Sequence, residues 1–232
     1  MRGTARMKYR VEQKYIITED KAAYLKYKLE QLMEYDSHAK EGSYRIRSLY
    51  FDDFRDSFLE QNQEGNDFRQ KYRIRTYNNS KEVIHLEIKK KEFGFTSKQK
   101  EELTLKECND LIFRRQWSLP GNAGEVKKRF YGNICLRGLR PVQIVEYERI
   151  PFVEQKGNVR VTLDKFITGS SEVESFWEDI LPCIPVLPTG HHILEVKYDE
   201  FIPDEIKKIL NEVYLVKTAF SKYYYARRNP HV

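Results

Sequence analysis

The sequence predicts an α+β fold, a closed antiparallel tunnel of eight β-strands with a charged lumen and helices packed outside it. Segments in which polar and apolar residues alternate are separated by segments of helical periodicity. The chain has 16 Tyr and 13 Phe, residue types that favour strands. The polar positions of the predicted strands hold mostly Arg, Lys and Glu. Because the helices are numerous enough to cover the apolar faces, we expect the charged faces to point inward.

Seven strands are predicted from the alternation of polar and apolar residues. They span 8–17, 43–52, 67–79, 82–93, 140–152, 158–169 and 191–201. Turn residues, Asn78 to Lys81 in one case and Lys156 to Asn158 in the other, join two pairs of these strands into hairpins. Hairpins imply antiparallel neighbours, and a sheet of seven or eight such strands is large enough to close on itself.

Helices are predicted between and after the strands, at 18–35, 104–115, 123–134, 170–180, 203–214 and 218–228. The first has an apolar face that runs from Ala22 to Leu32. Thr104 and Glu107 form a capping box at the start of the second, and Pro203 suits the start of a helix. No low-complexity segment, linker or repeat is visible, so we expect one domain over residues 1–232.

Composition limits the class of protein. Of the 232 residues, 40% are apolar and 33% charged, which indicates a globular but unusually charged chain. The net charge of +6 favours an anionic partner, although a basic, well-solvated surface explains that charge equally well. Three widely spaced cysteines exclude a zinc ribbon and a disulfide framework. The sequence has no signal region and no membrane-spanning stretch, so we predict a cytoplasmic protein.

Charged residues share one face on six of the strands, because successive strand residues point to opposite sides. These faces hold Arg10, Glu12 and Lys14; Lys71, Arg73 and Arg75; His85, Glu87, Lys89 and Lys91; Tyr147 and Arg149; Arg160, Thr162 and Asp164; and Glu195 and Lys197. In a single strand this pattern is typical of a solvent-exposed face. On six strands, with a surplus of basic residues, it predicts a wall that binds a polyanion, because like charges on neighbouring strands repel each other.

Phosphate is the anion that these side chains suit best. Arginine binds phosphate oxygens with two parallel hydrogen bonds, and lysine adds point charges. From their strand faces we expect Lys91, Arg160 and Lys197 to bind substrate. The few carboxylates on the same faces suit a divalent cation that bridges phosphates. These carboxylates are Glu12, Glu87, Glu195 and Asp164.

Other motifs point to weaker alternatives. The Walker pattern of P-loop proteins is absent, which argues against that class of ATPase. His191 and Glu195 share a strand face, but the sequence offers no further histidine cluster to complete a zinc site. The segment "YYYARR" (223–228) fits an RNA-stacking patch, and it fits better a helix whose aromatic residues pack under the sheet.

The ordered set of motifs "YRVEQKY", "IRSLYFDD", "KYRIRTYN", "LEIKKK", "VEYERIPF", "VRVTLDKFI", "LEVKYDE" and "TAFSKYYYARR" resembles the VTC domain. This family is the polyphosphate polymerase branch of the triphosphate tunnel metalloenzymes, which have the CYTH-type fold. The resemblance implies an enzyme that transfers the γ-phosphate of ATP to a growing polyphosphate chain with Mn²⁺ or Mg²⁺. It also implies binding of pyrophosphate and triphosphate, and no nucleic acid.

The resemblance assigns roles residue by residue. Phosphates would be held by Lys14, Arg73, Arg75, Lys89, Arg149 and Lys222. Tyr147 and Ser221 would donate hydrogen bonds to the substrate, and Glu195 would hold the metal ion. We expect a stand-alone catalytic domain of bacterial type, because the membrane helices and regulatory domain of eukaryotic complexes are absent from the sequence. Whether a membrane protein is a partner is left open.

One departure from the superfamily bears on activity. The usual Glu-x-Glu-x-Lys pattern is replaced by Arg10-Val11-Glu12-Gln13-Lys14. The loss of one acidic residue favours the polymerase branch and argues against hydrolysis with two metal ions. Two alternatives stay open beside the polymerase. One is a metal-dependent triphosphatase that acts on inorganic triphosphate or nucleotides, and the other is a polyanion-binding module without turnover.

Overall fold

The structure, a computed structural model, describes residues 10–39, 41–63, 68–93, 95–114 and 116–228. The predicted domain over 1–232 and the predicted strand over 8–17 both start before residue 10, so their first residues lie outside the described part of the chain. The prediction of a single domain stays a prediction.

Ten strands and six α-helices occur within the described residues. The strands are β1 (Val11–Thr18), β2 (Glu34–Tyr35), β3 (Tyr44–Asp52), β4 (Phe68–Tyr77), β5 (Ile84–Glu92), β6 (Phe95–Leu103), β7 (Arg140–Glu154), β8 (Val159–Ser170), β9 (Ile184–Pro185) and β10 (His191–Tyr198). The helices are α1 (Glu19–Leu29), α2 (Ser57–Gln63), α3 (Leu105–Asn109), α4 (Glu125–Arg137), α5 (Asp204–Asn211) and α6 (Lys222–Arg228). Shorter helical turns are π-type at Asp110–Arg114 and 3-10 type at Lys156–Asn158 and Val173–Trp177.

All seven predicted strands are present, and the predicted helix starts are largely correct. Thr104 and Glu107 form the expected capping box at α3. Asn78 and Asn79 occupy the left-handed region, with φ of 50° and 53°, as a turn between β4 and β5 requires. The first helix ends at Leu29, earlier than predicted, and the helix predicted over 170–180 is a 3-10 turn.

The strands pair in the order β1-β10-β8-β7-β3-β4-β5-β6, with β2 beside β7 and β9 beside β8. The ladders are antiparallel, for example β1 with β10 and β4 with β5, which confirms the predicted class of antiparallel sheet with helices. Within the described residues β1 and β6 are the two ends of this order and do not pair. The prediction of a closed tunnel is therefore wrong, because alternation along a strand does not determine whether end strands meet. The charged lumen stays a prediction.

The chain forms two compact units, and the division between them falls within β7 and β8. The first unit consists of Met1–Tyr44, Glu148–Lys165 and Leu187–Phe220. The second unit consists of Arg45–Tyr147, Phe166–Val186 and Ser221–Val232.

In the first unit, one face of β1, β8 and β10 packs against α1 and α5. Leu25 of α1 and Ile206 of α5 are buried with Val161 of β8 and Leu194 of β10. Burial of each such side chain contributes about 1.5–3 kcal/mol. Because strand residues alternate, this core directs the charged residues of the same strands to the other face.

In the second unit, α4 covers the apolar face of β3, β4 and β5. The fully buried ring of Phe130 meets Phe51 edge-on at 5.0 Å between centroids and lies 5.9 Å from the ring of Tyr72. Ile74 and Leu86 belong to the same core. The residues that alternate with them on β4 and β5 are the charged ones, so packing fixes which face carries the charge.

Candidate functional site

The charged face of β4, β5 and β6 in the second unit places like charges side by side. Lys71 on β4 is the register partner of Lys89 on β5, which in turn pairs with Lys98 on β6. The paired positions on this face are Arg69, Lys71, Arg73 and Arg75; His85, Glu87, Lys89 and Lys91; and Thr96, Lys98, Lys100 and Glu102. Eight Lys or Arg therefore accompany two Glu. Cross-strand pairs of like charge destabilise a sheet, so this lysine row (Lys71, Lys89 and Lys98) indicates a site for anions.

Glu87 is the central counter-ion of this face. Its buried carboxylate accepts from Nε of Arg73 at 2.7 Å and lies 2.5 Å from Nζ of Lys98. Burial alone would raise the pKa of Glu87, but the charges of Arg73, Arg75 and Lys98 outweigh burial and lower it well below its usual range. Glu87 is therefore ionised and holds the surrounding cations in fixed positions.

Hydroxyl groups orient the two arginines. Arg73 donates to the hydroxyl of Tyr50 at 3.1 Å, and Arg75 donates to Ser48 Oγ at 3.1 Å and to the hydroxyl of Tyr147 at 3.4 Å. Burial lowers the pKa of Arg73, but Tyr50 and Glu87 raise it above its ordinary value, so the guanidinium keeps its charge. Such preorganised donors suit oxygen-rich anions.

Ser221, which directly precedes helix α6, and Lys222, its first residue, are two further predicted residues at this face. Lys71 donates to Ser221 Oγ at 2.8 Å, and Nζ of Lys222 lies 4.7 Å from the ring centre of Tyr147. Tyr223 anchors the helix: its ring stacks on Tyr50 at 4.8 Å between centroids. Its hydroxyl donates to the buried carboxylate of Asp52 at 2.6 Å. This confirms that the first tyrosine of "YYYARR" packs inside the protein.

In the first unit the predicted residues pair with opposite charges. Glu12 on β1 is the register partner of Lys197 on β10, and Lys14 is the register partner of Glu195. Nζ of Lys14 lies 3.1 Å from the Glu12 carboxylate and 4.0 Å from that of Glu195, and it donates to the carbonyl of Phe220 at 3.1 Å. Lys197 also forms ion pairs with both glutamates. Burial lowers the pKa of Lys14, but Glu195 and Glu12 raise it above its ordinary value.

Two arginines of the first unit have their own carboxylate partners. Arg149 on β7 forms a bidentate pair with the buried Asp164, at 2.6 and 2.7 Å. Arg160 on β8 lies 2.9 Å from the Asp36 carboxylate and donates to the hydroxyl of Tyr44 at 2.9 Å. These pairs hold each guanidinium in one orientation.

The predicted site residues thus fall into two groups. The second unit contains Arg73, Arg75, Glu87, Lys89, Lys91, Tyr147, Ser221 and Lys222. The first unit contains Glu12, Lys14, Arg149, Arg160, Glu195 and Lys197. Charge is balanced across the β1–β10 ladder of the first unit, whereas the second unit has a large basic surplus on one face.

Glu12 and Glu195 are the carboxylates best placed to hold a cation. Glu12 and Glu195 both lie beside Lys14 and Lys197, so their oxygens face the same small region. Two carboxylates are a donor set that fits Mg²⁺ or Mn²⁺ when phosphate oxygens and water complete the coordination. No group of three or more His, Cys, Asp or Glu with metal-site geometry occurs among the described residues. Glu87, surrounded by cations, suits this role less, and its metal role stays a prediction.

Sequence reasoning missed Lys98, which contacts Glu87 directly. Lys98 lies on β6, a strand that was not predicted because its polar residues "TSKQKEE" (96–102) lack alternating apolar partners. The supporting residues Ser48, Tyr50 and Asp52 were also missed. The available signal was the alternation of Lys98 and Lys100 directly after the turn that ends β5.

The two histidines at the start of β10, His191 and His192, contact residues that are not among the predicted site residues. The ring of His191 lies 3.3 Å from the carbonyl of Thr189, and the buried His192 contacts Glu19. Over the part of the chain that the structure describes, no helix has both the length and the apolar character needed to cross a membrane.

Solved structures are similar to this chain at low identity. A candidate adenylate cyclase from Bacillus halodurans matches with a TM-score of 0.54 and 14% identity, over 92% of this chain and 95% of that one. The PH1819 protein of Pyrococcus horikoshii matches at 0.45 and 17%, over 90% and 92% of the two chains. A search of curated proteins finds no match. The VTC domain family matches residues 9–229, nearly the whole sequence, and the chain therefore belongs to the VTC domain family.

Proposed function

We propose that the protein is an ATP-dependent polyphosphate polymerase that transfers the γ-phosphate of ATP to a growing inorganic polyphosphate chain. The observation that carries this proposal is the lysine row of the second unit, Lys71, Lys89 and Lys98, beside the ionised Glu87. A row of like charges weakens the sheet on which it lies. Its presence is explained if an extended polyanion supplies the missing negative charge.

The second unit would bind phosphate through preorganised donors. Arg73 contacts Glu87 through Nε and Nη2 and Tyr50 through Nη1, and Arg75 contacts Ser48 and Tyr147. A guanidinium has five N–H donors, so each arginine would still have donors for a ligand. Lys89, Lys91 and Lys222 would add charge, and the hydroxyls of Tyr147 and Ser221 would add hydrogen bonds. Lys71 and Lys98 extend this set beyond the predicted residues.

The first unit would hold the metal ion and further phosphate oxygens. Glu12 and Glu195 would be its protein ligands, and Lys14, Arg149, Arg160 and Lys197 would be the accompanying cations. Mn²⁺ or Mg²⁺, when bound, would neutralise charge on the triphosphate oxygens.

The reaction requires positioning more than covalent catalysis. A terminal phosphate oxygen of the growing chain attacks the γ-phosphorus of ATP in line. The bond from that phosphorus to the β–γ bridging oxygen breaks, and ADP leaves with the electron pair. Fixed cations such as Arg73 stabilise the charge that develops on the transferred group, so no side chain has to act as nucleophile.

Incubation with ATP and Mn²⁺, followed by separation of the products by size, tests the proposal. We expect long polymer together with ADP. The substitution Arg73→Gln should lower polymer synthesis about 100-fold or more, because it removes a preorganised charge from the transition state. The substitution Lys128→Gln, on an exposed position of α4 that pairs with Glu125, is the control and should leave activity unchanged.

The same assay separates the alternatives. Release of free phosphate without polymer would indicate a triphosphatase. Binding without turnover would indicate a polyphosphate-binding module. Full activity of folded Arg73→Gln protein would contradict the role of the charged face.

A further inference from the structure

A cavity of about 400 Å³ lies on the opposite face of β4 and β5 from the lysine row. Gln70 and Tyr72 line it, and they alternate along β4 with Lys71 and Arg73. Lys90 also lines it and alternates with Lys89 on β5. Because alternate strand residues point to opposite faces, the sheet separates this cavity from the lysine row. All of its lining residues belong to the second unit.

Helix α4 forms one wall of the cavity with a stripe of polar residues. Arg129, Asn133 and Arg137 are spaced four apart, so they follow one side of the helix. Asn133 donates to the carbonyl of Arg129 at 2.8 Å, and Arg129 donates to Gln99 Oε1 at 3.1 Å. The buried ring of Phe130 packs against Phe51 of β3 and so anchors this helix on the sheet.

The lining is basic and rich in donors. Its cations are Lys90, Arg129 and Arg137, and no Asp or Glu is among the described residues that line it. Within the described residues, neither arginine forms an ion pair with a carboxylate, whereas Lys90 pairs with Glu92 at 2.8 Å. Gln70 accepts from the hydroxyl of Tyr72 at 2.8 Å through Oε1. Its amide N–H groups are therefore left to donate toward a ligand.

The size and spacing of these groups define the ligand. Eight residues of α-helix rise about 12 Å, so Arg129 and Arg137 are separated by more than the width of one phosphate. A ligand that uses both arginines and Lys90 carries negative charge at more than one point. Phe68 lines the cavity and is 43% exposed as a residue, and the ammonium of Lys90 lies 4.7 Å from the centroid of its ring. The exposed part of the ring adds an aromatic surface on which a base can stack.

We propose that this cavity is a second anion site, which binds a small molecule carrying two or more phosphate groups. It is separate from the charged face assigned to polymer synthesis and does not depend on that assignment. Pyrophosphate and a nucleoside diphosphate both have the required chemistry. They differ in whether the ring of Phe68 contributes to binding.

Hydrogen–deuterium exchange of α4, combined with calorimetry, tests the proposal on the full chain. Pyrophosphate and ADP are the probes. Either should slow amide exchange in residues 125–137 of the wild-type protein. The double substitution R129Q/R137Q should abolish this protection and weaken that binding event about tenfold or more, because hydrogen bonds to charged groups are lost. Lys128→Gln on the same helix is the matched control and should behave as wild type.

The outcomes are separable. Absence of α4 protection by both probes, or equal protection in R129Q/R137Q, would overturn the second site. Tighter binding of ADP than of pyrophosphate, lost in Phe68→Leu, would identify the ligand as a nucleotide. Equal binding of both probes would identify the phosphates alone as the recognised group. Protection of α4 in a protein that makes no polymer would reject only the proposed polymerase activity, and polymer synthesis without protection would reject only the second site.

Discussion

Lys98, in the lysine row, can lose its charge close to neutral pH. Burial lowers the pKa of its ammonium group to about 8, and the neighbouring Arg73 and Arg75 act in the same direction. Glu87 opposes them but does not restore the ordinary value. Because the pKa is lower in the folded state, protonated Lys98 weakens the fold below about pH 8, and this cost disappears as the pH rises.

This shift predicts that binding of tripolyphosphate weakens as the pH rises through about 8, as Lys98 becomes neutral. The loss of one charge-assisted contact should lower affinity about tenfold between the two limits. Calorimetry at constant ionic strength measures the effect. Lys98→Arg keeps a positive charge at every pH in this range, so its affinity should stay level. An equal decrease in wild type and in Lys98→Arg would show that another group is responsible.

The candidate site was predictable where a residue's own strand was recognised. Arg73, Arg75 and Glu87 follow from alternation on β4 and β5, and the structure places all three in contact or near contact. Lys98 was missed because β6 was not recognised as a strand, and its contact with Glu87 follows from the register of β5 and β6. Partners such as Tyr50 were hidden for the same reason: they follow from strand register and not from spacing.

Among the elements, α6 is attached to the end of β3 by a buried hydrogen bond from Tyr223 to Asp52, beside the ion pair of Arg227 with Asp56. Tyr223→Phe should lower the free energy of unfolding by about 1–2 kcal/mol, because Asp52 loses a donor in a buried position while the ring keeps its stacking on Tyr50. Chemical denaturation measures this change. Phosphate binding should also weaken, since Ser221 directly precedes α6 and Lys222 is its first residue. Tyr27→Phe, at a position 63% exposed, is the control and should be neutral. No change in stability for Tyr223→Phe would mean that the hydrogen bond does not hold α6.

Helix α2 and strand β6, like the two-residue strands β2 and β9, escaped sequence prediction. Helix α2 is short, and its first turn is capped from outside: the amide groups of Phe58 and Leu59 donate to Asp52 at the end of β3. β6 has almost no buried residue before Leu103 and is formed by pairing with β5. Neither element carries an apolar periodicity, so only the tertiary neighbours reveal it.

At the scale of the whole molecule, the sequence reveals which residues share a strand face better than it reveals which strands are neighbours. Alternation identified all seven major strands outside β6, and hairpin turns identified the β4–β5 and β7–β8 connections. The position of β10 between β1 and β8, and the absence of a ladder between β1 and β6 among the described residues, depend on long-range pairing. Local patterns do not encode such pairings.

The basic surplus predicts that an added polyanion stabilises the protein as a whole. Tripolyphosphate should raise the melting temperature, because it binds the folded state and relieves repulsion within the lysine row. Added sodium chloride should reduce this shift by screening the charges. Differential scanning calorimetry measures both effects. Lys89→Gln, which removes the middle of the row, should melt higher than wild type without the ligand and respond less to it. An equal response in both proteins would argue against the row as the binding surface.

β6 ends the strand order, and within the described residues no strand pairs with its outer edge. An unpaired edge strand can pair with a strand of another chain, and lysines along that edge disfavour such pairing. In the absence of a bound anion, Lys98 and Lys100 would thus hinder self-association in solution. Chemical acylation of these amines would then weaken substrate binding and also promote self-association of the chain.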